Sequence, residues 1–258
     1  MNGIKYVGRN IMTKEDLLKS IDHYNTRTGM SLEKTRAALI DMDGTLYDSM
    51  PWHAFAWHKM MSEIGVQTNQ DEFFGYEGMT GKATINLLFQ RAFGRDASDC
   101  EATELYRIKS RYFVENNHAD IMPGAPAVVE ELRSRNISAI LVTGSGQTSL
   151  LSRLETDFSG AFPEAKRITA SNVKKGKPSP EPYLKGLELA EVSANQAIVI
   201  ENAPLGVMSG VNAEIFTIAV CTGPIPLESF YEAGADLVFK SMPECAEMLP
   251  QLLDIISK

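Results

Sequence analysis

The chain has 258 residues, 44% hydrophobic and 22% charged, with a formal net charge of −8. That length and balance describe an ordinary globular chain, able to bury a large core as one domain or two. The acidic balance argues against a broad nucleic-acid surface, and no apolar run nears the roughly 20 residues of a membrane span.

The N-terminus carries Lys5, Arg9, Lys14, Glu15 and Asp16 and has no apolar core of a signal peptide. Cys100, Cys221 and Cys245 are scattered without zinc-ligand spacing, which reads as free thiols in a reducing cytoplasm. Thr13-Lys14-Glu15-Asp16 looks like a helix start, with Leu17, Leu18, Ile21 and Tyr24 at helical spacing and Thr28-Gly29 as its end. Residues 1–35 thus form a helical leader, expected to dock on the outside of a core.

Ala37 to Ile40 is short and continuously apolar, as in a strand buried on both faces. It runs into Asp41-Met42-Asp43-Gly44-Thr45. Alternation along an extended chain sends Asp41 and Asp43 to the same side. Adjacent anions repel unless a cation or a proton separates them, and Mg2+ suits a few carboxylates with phosphate oxygens.

From Met50 to about Asn117 the pattern is helical. Pro51 suits a first turn, Phe55, Met60, Met61 and Ile64 follow at helical spacing, and Gly65 ends the segment. Asn69 to Glu72 starts a second helix, and Ala83–Phe93 and Ala102–Val114 complete an all-helical insert placed as a lid over the carboxylates.

After Pro123-Gly124 comes a helix marked by Val128, Val129 and Leu132, and then Ala139 to Val142, a buried strand ending in Thr143-Gly144-Ser145-Gly146. A helix from Thr148 to about Asp157 and a short strand at Ile168-Thr169 precede Lys177-Pro178-Ser179-Pro180 and a helix through Leu187. Ala197–Ile200 is a strand ending at Glu201-Asn202; Phe216–Val220 and Asp236–Phe239 are two more, and Pro243–Ile256 is an amphipathic helix. Strands alternating with helices make an α/β protein with a doubly wound parallel sheet.

Such a sheet gathers its strand C-termini into one crevice. There lie Asp41 with Asp43, Thr143 to Ser145, Lys177, and Glu201 with Asn202. Alone, Thr143-Gly144-Ser145 is a turn and Lys177 a solvated lysine. Their order and shared placement are more specific.

From Ala37 to the C-terminus this pattern resembles the haloacid dehalogenase superfamily. Asp41-Met42-Asp43-Gly44-Thr45 matches its first motif, Thr143 the second and Lys177 the third, while Glu201-Asn202 occupies the fourth. The insert resembles the small cap of the β-phosphoglucomutase-like branch, as do His53, Trp57, Pro123-Gly124, Lys177 to Pro180, and Gly206. The resemblance implies a Rossmann-like core of residues 36–49 and 121–258 and a cap of 50–120. It implies Asp41 as nucleophile forming an aspartyl-phosphate, Asp43 as proton donor and then base, and Lys177 pairing Asp41 and the phosphoryl oxygens. Thr143, with backbone N–H groups around Gly144 and Met42, would hold the phosphoryl group, and Gly144 and Ser145 are candidate substrate contacts.

The fourth motif of the family supplies an acid where this chain has Asn202, so Glu201, or Glu77 of the cap loop, is expected to complete a Mg2+ site with Asp41 and the Asp43 carbonyl. Branch members that hydrolyse inorganic pyrophosphate are similar in pairing a fourth-motif amide with a cap carboxylate. His53, Lys82 and Lys109 are candidates for contacting substrate, with Arg107 beside them. Lys59 or Lys82 could serve a phosphonate hydrolase.

The expected function is a Mg2+-dependent phosphohydrolase acting on inorganic pyrophosphate or a sugar phosphate. β-Phosphoglucomutase is the alternative, and a silent phosphate-binding regulator a further one. The expected partner is a small phosphorylated substrate in the cytoplasm, without nucleic acid or membrane, and a monomer is compatible with the sequence.

Overall fold

Strand β1, Ala37–Ile40, lies at the centre of the sheet because each of its residues is buried and apolar. The computed structural model describes residues 12–145 and 148–257. Lys5 and Arg9 of the leader, and Gly146 of the strand-end turn, lie outside the described residues.

Before β1 comes helix α1, Lys14–Thr28. After it follow α2, Met50–Glu63; a 3-10 turn, Gln70–Phe74; α3, Gly81–Phe93; and α4, Asp99–Asn116. Then come α5, Ala125–Ser134; β2, Ser138–Val142; α6, Thr148–Leu151; α7, Leu154–Asp157; β3, Arg167–Ile168; and α8, Glu181–Ala190. The chain closes with β4, Ala197–Glu201; α9, Pro204–Asn212; β5, Phe216–Val220; α10, Leu227–Glu232; β6, Leu237–Phe239; and α11, Met242–Ile256.

All the strand pairs are parallel, in the order β3-β2-β1-β4-β5-β6. Ile40 stands beside Leu141 on one side and Ile200 on the other. This register brings Asp41, Thr143 and Glu201 to one edge of the sheet. Alternation divides the strands between two apolar layers: Ala38, Ile40, Leu141 and Ile200 face one, and Leu39, Ile140, Val142 and Val199 the other. Helices α5 and α11 cover the first layer, and α8 and α9 the second. A sheet covered on both faces explains why its strands read as unbroken apolar runs.

The leader helix starts at a Thr13–Asp16 capping box and ends at Gly29. Leu17 and Tyr24 are fully buried, each worth about 1.5–3 kcal/mol of hydrophobic stabilisation. Arg27 clamps the helix to the core: its Nε and Nη2 donate to the two carboxylate oxygens of Asp236 at 3.1 and 2.8 Å, and Nη1 donates to the Val211 carbonyl at 3.1 Å.

Two expected helices take other forms. Asn69 caps a 3-10 turn rather than an α-helix, because Gly75 and then Gly78, at φ 89°, stop it after five residues. The segment 148–157 breaks into α6 and α7. At the break the Arg153 N–H bonds back three residues to Leu150 (3.0 Å), while the guanidinium donates to the Ala119 carbonyl at 2.9 Å.

The two chain crossings between the insert and the sheet are tied together. Asp48 N–H donates to Asp120 (3.0 Å), Met122 N–H donates to Leu46 (2.9 Å), and Tyr47 bridges Ile121. Among the described residues no helix is long and apolar enough to cross a membrane.

Candidate active site

At the C-terminal end of β1, the N–H of Asp41 donates to the Ile200 carbonyl at 3.1 Å and so extends the ladder to the carboxylate that matters. Its Oδ1 lies 2.5 Å from the Lys177 ammonium. Lys177 also donates to Glu201 Oε1 at 2.5 Å and to the Val142 carbonyl at 3.1 Å, which uses all three of its N–H groups. Burial pushes the Asp41 carboxyl up, against the pull of Lys177. Lys177 itself is held above the usual lysine value: burial opposes its charge, but Asp41 and Glu201 outweigh that.

Glu201 is spoken for. Its Oε1 accepts from Lys177 and from the Tyr183 hydroxyl (3.0 Å), and its Oε2 accepts from the N–H groups of Asn202 and Ala203 at 2.9 and 3.0 Å. This corrects the expectation of Glu201 as a metal ligand, because its lone pairs are consumed in orienting Lys177 and the start of α9. Gly206 makes room for it, since a Cβ there would collide with the Glu201 carboxylate.

Asp43 faces the insert. Its Oδ1 accepts from the Ser49 hydroxyl at 2.6 Å and sits 2.9 Å from His53 Nε2. His53 Nδ1 lies 2.6 Å from Lys109 Nζ. An ammonium can only donate, so Nδ1 accepts and Nε2 carries the proton given to Asp43. The result is a directed chain, Lys109 to His53 to Asp43, with neutral imidazole in the middle. Burial favours a neutral Asp43, but His53, Ser49 and Lys109 hold its carboxyl below the usual range. Burial and the neighbouring Lys109 lower His53. Phe113 stacks on the His53 ring at 4.0 Å, and Lys109 lies 5.2 Å from the ring centres of Trp57 and Phe113. Burial brings Lys109 down to about 7.

Glu77 comes from the loop after the 3-10 turn and reaches the core. Its Oε1 accepts from Asn202 Nδ2 at 2.9 Å, and Asn202 Oδ1 accepts from the Thr45 hydroxyl at 3.0 Å. Gly44, at φ 75°, lets the chain turn beneath them, and a Cβ there would strike the Asn202 amide. Burial, then Asp41 and Glu201, push the Glu77 carboxyl well up.

The second-motif segment completes the wall. Thr143 N–H donates to Ile168 (2.9 Å), and its Oγ1 accepts from Ser145 N–H at 2.9 Å. Asp41, Asp43, His53, Glu77, Lys109, Thr143, Gly144 and Ser145 all line one cavity of about 70 Å3 between core and insert.

Lys82 is not among them. Its side chain is 59% exposed and paired with Asp99 at 2.6 Å, because position 82 faces outward one step into α3. Arg107 likewise pairs on the surface with Glu104. Lys59 lies over the Tyr112 ring at 4.2 Å, away from the cavity lining. These findings correct Lys82 and Arg107 as substrate contacts, and neither Lys59 nor Lys82 is placed for imine chemistry. Reading the sequence missed Ser49 and Tyr183, and gave Thr45 as part of the first motif without its bond to Asn202. Ser49 had a signal, a hydroxyl just before Pro51 at the start of α2.

Four buried carboxylates, Asp41, Asp43, Glu77 and Glu201, meet two buried ammoniums, Lys177 and Lys109. Counted fully ionised, the carboxylates exceed the ammoniums by two charges, that of one divalent cation; without the cation, burial meets the excess by pushing Asp41 and Glu77 toward their protonated forms. Among the described residues no three His, Cys, Asp or Glu side chains form a ready metal cluster. A cation here would instead draw on a mixed, all-oxygen set: the Asp41 and Glu77 carboxylates, the Asp43 carbonyl and the Asn202 amide. Hard divalent cations suit that set. The amide oxygen now accepts from Thr45, so Asn202 would turn over to offer it.

A family model described as haloacid dehalogenase-like hydrolase matches residues 35–214. Hexitol phosphatase A of Escherichia coli is 30% identical over 187 residues, covering 72% of this chain and 83% of that protein. Beta-phosphoglucomutase of Bacillus subtilis is 25% identical, covering 80% of this chain and 89% of its own. Among solved structures, a proposed beta-phosphoglucomutase from Bacteroides vulgatus superposes with a TM-score of 0.91 at 41% identity, covering 95% of this chain and all of that one. The matched span contains every strand-end group described above, and the chain belongs to the haloacid dehalogenase-like hydrolase family.

Proposed function

We propose that the protein is a Mg2+-dependent phosphohydrolase working through a phosphoryl group carried on Asp41, with residues 50–120 as a mobile cap over the core. One observation carries this reading: the cap carboxylate Glu77 is joined to Asn202 at a core strand end, in a site that buries four carboxylates against two ammoniums. When bound, Mg2+ supplies positive charge to the phosphoryl oxygens.

In the first half-reaction an Asp41 carboxylate oxygen attacks phosphorus. The P–O bond to the leaving group breaks as that oxygen takes a proton from Asp43, which receives it from His53 Nε2–H while Lys109 returns one to Nδ1. In the second, Asp43 takes a proton from water, the water oxygen bonds phosphorus, and the Asp41–phosphorus bond breaks. Lys177 neutralises Asp41 and, on giving up its bond to the Val142 carbonyl, holds a phosphoryl oxygen. The Thr143 hydroxyl and the Gly144 N–H hold the others, with the Ser145 N–H orienting Thr143 Oγ1.

With the insert in this position the space is about 70 Å3, far below the roughly 300–1,000 Å3 of pockets that take drug-sized ligands. Glu77 would repel a second phosphate unless Mg2+ lies between them. The small space favours inorganic pyrophosphate over a hexose phosphate, and Glu77 makes the cation a requirement for any substrate with a second phosphate; the curated relatives include a hexitol phosphatase and a phosphorylated carbohydrates phosphatase. The second reading is β-phosphoglucomutase, favoured by the chain from Lys109 through His53, which equips Asp43 to exchange protons with a sugar hydroxyl.

The test is kcat/KM for pyrophosphate and for hexose phosphates with Mg2+, in the wild type, Glu77→Ala, Asn202→Asp and the double variant. Glu77→Ala should lower pyrophosphate turnover much more than hexose-phosphate turnover, and Asn202→Asp should partly rescue it, a non-additive cycle. Additive losses without substrate selectivity would reject the role given to Glu77. Interconversion of hexose phosphates without phosphate release would establish the mutase instead.

A further inference from the structure

A second cavity, of about 320 Å3, lies on the other side of Glu77. Its wall descends from exposed Asp48, Pro51 and Pro224 to buried Gly44, Glu77 and Asn202. Glu77 and Met50 line both this space and the catalytic one, so they form the partition between them. One bank belongs to the cap, through Phe74 and the start of α2. The other is the loop after β5, Thr222 to Ile225, which the Thr222 hydroxyl fastens to the Gly44 carbonyl at 2.5 Å.

The ionisable side chains along this funnel are all acidic. Asp48 at the rim makes no ion pair with any described residue, Glu77 stands at the floor, and no lysine or arginine lines the wall. Glu77 is 91% buried by its 9% exposure, and its second carboxylate oxygen accepts no hydrogen bond from the described residues. Such a funnel repels a polyanion and concentrates cations. A cation with six waters, at about 30 Å3 each, fits the space. The substrate side of the partition is different, since Lys109 lines it.

We infer that this funnel is a port through which the divalent cation reaches and leaves the site while the cap is shut, apart from the route of the substrate. The inference rests on the cation site proposed above. Asp48 draws the ion in, Glu77 and Asn202 receive it, and Gly223 sets the width of the mouth. A Cβ on Gly223 would meet the Phe74 ring at 3.4 Å, an ordinary contact, so a longer side chain there would span from the core loop to the cap.

The test uses Mn2+ alone, with uptake followed by loss of the free-ion EPR signal and release followed by stopped-flow mixing with excess EDTA. In Gly223→Leu, uptake and release should slow together by at least about tenfold, as expected of a gate, with the equilibrium affinity unchanged. Asp48→Asn, on the surface and safe to fold, should slow uptake by about threefold and flatten its ionic-strength dependence. If both variants bind Mn2+ but exchange it at the wild-type rate, the port is rejected and the cation site stands. Faster release from Gly223→Leu would also reject it, since the loop would then hold the ion rather than admit it. If the wild type binds no Mn2+, the cation site and the port fall together.

Discussion

Lys177 stands in the core before α8, paired with Asp41 of the cavity wall, and Lys109 on α4 of the insert lines the cavity itself; they are 3% and 2% exposed. Equal burial leaves them in opposite states. Lys177 touches two carboxylates at 2.5 Å and is held charged beyond the usual lysine range. Lys109 touches an imidazole and aromatic rings, its nearest carboxylate is one residue further along the chain of hydrogen bonds, and it comes down to about 7. Desolvation acts alike on both, so the partner decides the outcome. The core presents a permanent charge suited to phosphoryl oxygens, and the insert a proton donor that can change state near neutral pH.

The largest effect should come from Lys177→Met. It leaves Asp41 and Glu201 buried without their cation, which costs about 3–5 kcal/mol when one partner of a buried pair is removed. Loss of a charge-stabilising donor should cut kcat by about 1000-fold. Chemical denaturation and phosphate release measure the two losses. A variant with wild-type stability and turnover would remove the distinction between the lysines.

Lys109→Met should act more weakly and on one step. Without its donor, His53 is free to change tautomer and its aim at Asp43 loosens; misplacement on this scale costs up to about 100-fold. The loss should fall on kcat rather than KM and grow with poorer leaving groups, because the chain that supplies Asp43 with the proton it must give is broken. His53→Asn should reproduce it, and the double variant should add little. Additive losses that fall on KM alone would make Lys109 a substrate contact and sever the chain.

The core side of this comparison was largely legible in the sequence. Its strands are apolar runs because both faces are covered, and parallel pairing then carries Asp41, Thr143, Lys177 and Glu201 to one edge. What each group does there was less legible. Glu201 reads as a spare carboxylate until its four hydrogen bonds are seen, one of them from Tyr183, which no pattern marks. The insert was harder. Helical spacing gives a face but not its neighbour, so Lys82 and Lys109 looked alike as basic residues, although one is paired on the surface and the other sealed among rings. Glu77 could be named because it lies in a loop between helices, whereas its contact with Asn202 spans 125 residues of sequence and depends on how the insert closes.

The smallest effect separates the two lysines without any substrate. Lys109 gives up its proton at about 7 in the folded protein, whereas an unfolded chain's lysine keeps it to about 10.4. Between those values the unfolded state binds more protons, so stability contributed by this group rises with pH through that window and is lost as pH falls toward 7. The slope approaches about 1.4 kcal/mol per pH unit for one proton. Urea unfolding of wild type and Lys109→Met between about pH 7 and pH 9 isolates it, because the other titrating groups are common to both proteins. The difference in stability between the two should shift toward the wild type by about 1–3 kcal/mol across that range. Lys177 contributes no such slope there, being charged in both states. Parallel pH profiles for the two proteins would mean that Lys109 keeps its proton as Lys177 does, and that aromatic walls and an imidazole can hold a buried ammonium as firmly as two carboxylates.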